Sequence, residues 1–340
     1  MLEALLLRHL ASFMVIIGIG LAVGAPFALD GSAALDTLRS VGAPMFSILA
    51  GLAIIGGVAK AGKLQILLAS LGYRLPFFRT TAISLVTDLA FLSSPAGAAG
   101  YVVNVALLRK AGTSLSVSAT VVGAEQALDF VFFAVAIPLA ALSALVPLAS
   151  LLPKVSGATC LVVLLAVFFS GVALWWSRNS VLGALKTLAR AIPWFRARQE
   201  RIEHFVAELR EQIHAIVNGP ARQNVALLML TVLQWVARYG VLWLVLREFG
   251  CNLPFGFVLV LQAVVLHLAQ WTGVPAGGGS ADLGLAAVLV AWTTMPTIAS
   301  VLILWRFSTL YFPLALGALG FVVLTCTRRA NGVIAYESQS

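Results

Sequence analysis

Ser94-Pro95-Ala96-Gly97-Ala98-Ala99-Gly100 and Val274-Pro275-Ala276-Gly277-Gly278-Gly279 each cut an apolar stretch near its middle, the first within residues 78 to 110 and the second within 255 to 295. Proline removes a helical hydrogen bond and glycine is a poor helix former, so a straight helix does not run through either break. A helix needs roughly 20 residues to cross about 30 Å of hydrocarbon, and each half falls short of a comfortable crossing. Each stretch therefore reads as a broken-helix hairpin, re-entrant if its tip stops inside the bilayer.

Outward from these breaks the chain is almost wholly apolar. Of its 340 residues 61% are hydrophobic and 10% charged, with a mean hydropathy of +1.00; a soluble domain carries roughly 25% charged residues. The fold class is an all-α polytopic membrane protein, a single transmembrane domain over 1–340. About six full spans are expected, near residues 10 to 29, 41 to 60, 115 to 147, 156 to 177, 222 to 246 and 297 to 325. Continuous runs such as Leu161 to Trp176 exclude a transmembrane β-barrel, whose strands alternate polar and apolar residues. Arg8 and His9 precede the run Ala11 to Ala25, which imitates a signal peptide; Pro26 beside the cut argues for an uncleaved first span.

The net charge of +9 sits in short stretches between spans, as topology signals and lipid-headgroup contacts rather than a nucleic-acid surface. Lys60, Lys63, Arg74 and Arg79 in one loop, Arg109 and Lys110 in another, the stretch Arg178 to Arg222, and Arg328 with Arg329 are expected on the cytoplasmic side, along with both termini. Within 178–218 the segment Leu182 to Val217 interleaves arginines and glutamates with Trp194, Phe205 and Ile213. This reads as an amphipathic helix at the membrane surface, either a solvated connector or a lipid-sensing element. Cys160, Cys251 and Cys326 fit neither a metal site nor a disulfide framework.

Leu71-Gly72-Tyr73-Arg74-Leu75-Pro76-Phe77 parallels Phe249-Gly250-Cys251-Asn252-Leu253-Pro254-Phe255, and Pro95-Ala96-Gly97 recurs as Pro275-Ala276-Gly277 at nearly the same offset. The expected repeats are 41–147 and 219–327. Between equivalent points lie three single spans and one hairpin, and a hairpin returns to its own side, so the number of crossings is odd. The second copy is then upside down, with the hairpins meeting near the midplane, the first entering from the cytoplasm and the second from outside. The helix starts after Pro95, Gly97 and Gly100, and after Pro275, Gly277 and Gly279, offer backbone N–H groups suited to phosphate or carboxylate. Close packing through small residues is the plainer alternative.

Asp88, Glu125, Asp129, Arg238, Asp282 and Arg306 lie in predicted spans or hairpins, where an unpaired charge costs about 2.5 to 3.5 kcal/mol on insertion scales. Glu125 and Asp129 share a helix face and, under the repeat offset, sit at the depth of Arg306; salt bridging between them is the simplest resolution. His267, Gln270 and Asn104 are candidates for the same polar cavity. No metal site, cofactor motif or catalytic signature appears.

These residues resemble a known family: the membrane-embedded, flippase-like region of the lysylphosphatidylglycerol synthases and its stand-alone bacterial and archaeal relatives, some linked to hopanoid biosynthesis. The resemblance rests on Ser94-Pro95-Ala96-Gly97, Leu108-Arg109-Lys110-Ala111-Gly112, Glu125-Gln126-Ala127-Leu128-Asp129, Pro275-Ala276-Gly277-Gly278-Gly279 and Arg306 in that order. Two departures bear on the headgroup: Tyr101-Val102-Val103-Asn104 follows the first turn where many members carry Glu, and Asp282 stands where Glu is usual. With no aminoacyl-transferase domain before Ser340, the resemblance implies binding or translocation of a polar-headed membrane lipid or lipid-linked intermediate at the bacterial inner membrane, not the synthase reaction. An intramembrane lipid-modifying enzyme using Glu125 or Asp129 as base, an accessory partner of a lipid-biosynthesis enzyme, and an ion-coupled solute carrier are the alternatives.

Overall fold

A computed structural model describes residues 41–151 and 199–337, with isolated positions between 20 and 39. The spans expected near 10 to 29 and 156 to 177, and the connector before residue 199, lie outside the described residues. Among the described residues all regular structure is helical. In chain order it comprises α1 (Ala43–Ser70), α2 (Phe77–Leu92), a 3-10 turn (Pro95–Gly97), α3 (Ala98–Lys110), α4 (Leu115–Leu151), α5 (Gln199–Val217), α6 (Ala221–Glu248) and α7 (Phe255–Trp271). A second 3-10 turn (Pro275–Gly277), α8 (Ser280–Leu289), α9 (Met295–Arg306), a π-helical turn (Phe307–Tyr311) and α10 (Phe312–Glu337) follow.

Four helical stretches are long and apolar enough to cross a membrane: Ala43–Ser70, Leu115–Ser143, Ala221–Glu248 and Met295–Cys326. They coincide with four of the expected spans, and the chain is a multi-pass membrane protein. One boundary is corrected. The first of these spans, expected to end at residue 60, runs on to Ser70, so Lys60 and Lys63 belong to α1 and not to a loop. It ends only where Gly72 adopts φ 83° and the Tyr73 N–H reaches back to the Leu68 carbonyl at 2.9 Å, a glycine-terminated helix end. α6 ends in the same way, with Gly250 at φ 76° and the Cys251 N–H donating to Leu246 at 2.8 Å.

The hairpin arms are short: 16 and 13 residues for α2 and α3, 17 and 10 for α7 and α8. At about 1.5 Å per residue none covers about 30 Å of hydrocarbon. The breaks fall at the Pro-Ala-Gly triplets with nearly identical backbones, Ala96 at φ 49°, ψ 18° and Ala276 at φ 53°, ψ 17°. The two turns pack against each other.

α1 and α6 lie side by side in opposite directions. Met45 and Leu49 share a buried cluster with Leu242 and Leu246, whereas Leu64, Leu67 and Leu68 share another with Leu227. α4 packs along α7, and α10 along α2. Glycine allows both approaches: a methyl at Gly256 would lie 2.8 Å from the Ala140 carbonyl oxygen, and one at Gly317 2.8 Å from the Leu85 carbonyl oxygen. α5 docks on α4 through Gln212, which bonds the Thr120 hydroxyl at 2.6 Å and the Ser116 hydroxyl at 3.3 Å, while Ile216 is buried beside the end of α1.

Candidate functional site

The charges expected inside the bundle are all there, but their pairing differs from the expectation. Arg306 does not bridge to Glu125 or Asp129. Its guanidinium grips Asp282, Nε to Oδ1 at 2.8 Å and Nη2 to Oδ2 at 2.7 Å, and donates to the carbonyls of Ala276 and Gly277 at 3.0 and 3.2 Å. Both side chains are buried, at 3% and 0% exposure. Asp282 Oδ2 also accepts the Gly279 N–H at 3.1 Å. The start of α8, suited by its free N–H groups to an anion, thus holds a carboxylate of the chain's own, and Arg306 pins the turn before it. At the first break the Ser94 hydroxyl accepts the Ala99 N–H at 3.1 Å.

Glu125 and Asp129 answer instead to α1. Lys63 Nζ lies 2.6 Å from Asp129 Oδ1, and Lys60 Nζ lies 2.5 Å from Asp88 Oδ1 and 4.0 Å from Glu125 Oε1. Trp235 Nε1 donates to the same Asp129 oxygen at 2.9 Å. The sequence carried a signal for these lysines. Asp88, Glu125, Asp129 and Asp282 outnumber Arg238 and Arg306, and a low-dielectric interior does not hold uncompensated carboxylates, so further cations had to come from within the spans. From Lys60 to Ser70 the chain has no proline and a single glycine, Gly62, too little to end a helix before the Leu71-Gly72 turn, which leaves Lys60 and Lys63 on the helix.

Two adjoining cavities border this network. The larger, about 770 Å³, opens between the hairpin tips and the faces of α4, α6 and α7. Gly97 and Gly277 form part of its tip-side wall; Asp129, Arg238, His267 and Gln270 are its charged and polar wall. Phe133, Trp235 and Tyr239 pack edge-on at 4.7 to 5.6 Å to form an aromatic side. The smaller cavity, about 140 Å³, is bounded by Lys60, Asp88, Gly100, Asn104 and Glu125, and shares Asp129 and Arg238 with the larger. Arg306 and Arg238 also border a recess of about 40 Å³. Pro95, Pro275, Gly279 and Asp282 line none of these three spaces; they shape and hold the turns.

Arg238 stands out by its partners. Among the described residues no carboxylate lies within ion-pair distance, and its guanidinium carbon sits 6.0 Å from the Trp235 ring centroid. A cation on the wall of a mainly apolar cavity invites an anion with an apolar body. Lys60, Lys63, Trp235 and Tyr101, whose hydroxyl donates to Gln126 at 3.2 Å, join the site that the sequence alone outlined. No group of three or more His, Cys, Asp and Glu side chains able to hold a metal occurs among the described residues.

Residues 15–317 match the family described as the lysylphosphatidylglycerol synthase TM region. The chain belongs to this family. Within its domain, the match covers both hairpins, the lysine–carboxylate network and the Asp282–Arg306 pair. The chain is also similar to a UPF0104 membrane protein of Archaeoglobus fulgidus, 23% identical over 263 residues, which cover 76% of this chain and 79% of that protein. The departures noted in the sequence can now be located. Asn104 borders the small cavity, and Asp282 is sealed against Arg306 outside it.

Proposed function

We propose that this protein binds a polar-headed anionic lipid, or lipid-linked intermediate, in the larger cavity and carries its headgroup between the leaflets of the bacterial inner membrane. The observation that carries the reading is Arg238, a cation without a carboxylate partner among the described residues, on the wall of an otherwise mainly apolar cavity of about 770 Å³. That volume lies in the range of ligand pockets, about 300 to 1,000 Å³, and suits a headgroup with the first part of its chains. Membership of the family is consistent with lipid handling. Arg238 meets the headgroup, Gly97 and Gly277 let it approach the backbone, and Arg306 holds the second tip in shape.

The repeats at 41–147 and 219–327 form the moving parts, inverted with respect to one another. The antiparallel α1 and α6, the matched turns in mutual contact, and the equivalent packings α4 on α7 and α10 on α2 support this arrangement. Both termini and the 178–218 connector face the cytoplasm. Rocking of the repeats about the touching turns exposes the cavity to one leaflet and then the other.

The test is lipid co-purification and translocation. Purified wild-type protein is compared with Arg238→Gln by native mass spectrometry, and then in vesicles bearing a fluorescent phosphatidylglycerol. Loss of both the bound anionic lipid and its movement in Arg238→Gln is the expected result; equal lipid retention in the variant removes Arg238 from the site.

A further inference from the structure

The charges around the two cavities balance. Asp88, Glu125 and Asp129 contribute −3, and Lys60, Lys63 and Arg238 contribute +3. Among its carboxylates Glu125 is the poorly satisfied one. Its side chain is 3% exposed, its nearest cation is Lys60 at 4.0 Å, and it accepts no hydrogen bond among the described residues. The amide oxygens of Asn104 and Gln234, 3% and 7% exposed, border the same 140 Å³ cavity and receive no donor. A carboxyl hydrogen supplies what those acceptors lack, directly or through water, for which the space suffices.

A phosphate monoanion at Arg238 cancels that residue's charge and leaves the remaining set one negative charge in excess. Such an imbalance in a low-dielectric interior is relieved by one proton. We propose that the site is a proton–anion cotransport site: one phosphate-bearing anionic lipid at Arg238 enters together with one proton on Glu125. The inference rests on the lipid-binding reading above and adds its coupling ion. The titratable and charged groups facing Glu125 are Lys60 and Lys63 from α1, Asp88 from α2, Tyr101 from α3, Asp129 from its own helix and Arg238 from α6. His267 lies on the far side of the larger cavity.

The test is the pH dependence of phosphatidylglycerol binding to the intact protein in nanodiscs of phosphatidylcholine, read between pH 5.5 and 8.5, where a phosphodiester stays anionic. Uptake of one proton makes the wild-type Kd rise by up to tenfold per pH unit, and Glu125→Gln, whose amide stands in for the protonated acid, flattens that dependence while keeping binding. Asp88→Asn, which leaves Glu125 in place but restores the balance once the anion is bound, flattens it too and guards against a fault peculiar to the Glu125 variant. Displacement by soluble glycerol phosphate assigns the site to the phosphate alone, and its absence assigns it to the whole lipid, with the slope required in either case. A slope unchanged in Glu125→Gln, abolished in His267→Asn, or replaced by a dependence on Na+ overturns the coupling. Failure of phosphatidylglycerol to bind wild type at any pH overturns the lipid-binding reading instead.

Discussion

Arg306 holds Asp282 with two parallel hydrogen bonds, 2.8 and 2.7 Å, while two further N–H groups hold the carbonyls of the turn that Asp282 follows. One cation thus fixes both the break and the start of the helix beyond it. Breaking a buried pair by removing one partner costs about 3–5 kcal/mol, because the other charge is left uncompensated. Arg306→Ala and Asp282→Ala are each expected to lower thermal stability in detergent by that order. The apolar pair Arg306→Met with Asp282→Leu is expected to recover much of it, apart from the bonds to the turn. The check is a double-mutant cycle on unfolding midpoints.

Gly97 and Gly72 both have positive φ, 73° and 83°, but different surroundings. A methyl at Gly72 meets nothing within 4 Å, whereas at Gly97 it would lie within 2.7 Å of the Phe91 ring. Gly72→Ala carries only the left-handed backbone penalty, about 1–2 kcal/mol. Gly97→Ala adds displacement of Phe91, which lines both cavities, and is expected to lower both stability and lipid retention. Equal effects of the two substitutions would remove the close approach as the reason for Gly97.

Lys63 is fully buried against Asp129. Lys63→Met is expected to cost about 3–5 kcal/mol, and Asp129→Leu in the same background to return part of that. Trp235 donates to the same carboxylate, so its fluorescence should shift in the Asp129 variant and not in Arg109→Gln, a substitution at the exposed end of α3. The two readouts come from the same samples.

Cys251, between α6 and α7, is 7% exposed, and burial pushes its thiol up; Cys326 is exposed. A raised thiol leaves less thiolate at neutral pH, so Cys251 is expected to resist maleimide at pH 7 and to react only on unfolding or at more alkaline pH. In a Cys160→Ser background, Cys326 should label at once in detergent. Mass analysis of the modified peptides counts the sites.

The breaks at Pro95 and Pro275 were legible because proline and glycine act on the backbone locally, and the four described spans because hydrocarbon thickness imposes a length. The partners of the charges were not legible. A window of about 20 apolar residues ends at the first lysine, which makes α1 look too short and places Lys60 and Lys63 in a loop. The depth of Arg306 marks it as a candidate, but depth does not say that Asp282, 24 positions earlier, lies beneath it. Arg238 was legible as an intramembrane cation; its lack of a carboxylate partner depends on how α4 and α6 meet, which no periodicity encodes.

The position of Lys60 and Lys63 also bears on the order in which the chain is made. α1 enters the membrane with both ammonium groups ahead of either partner, since Asp88 follows Lys60 by 28 positions and Asp129 follows Lys63 by 66. At the bilayer centre each unpaired lysine costs about 2.5 to 3.5 kcal/mol. The C-terminal part of α1 therefore waits near the interface, or in the protection of the insertion machinery, until α4 emerges. α1 to α4 are therefore expected to mature as one unit, and a nascent chain arrested before Glu125 is expected to leave α1 short of its final depth.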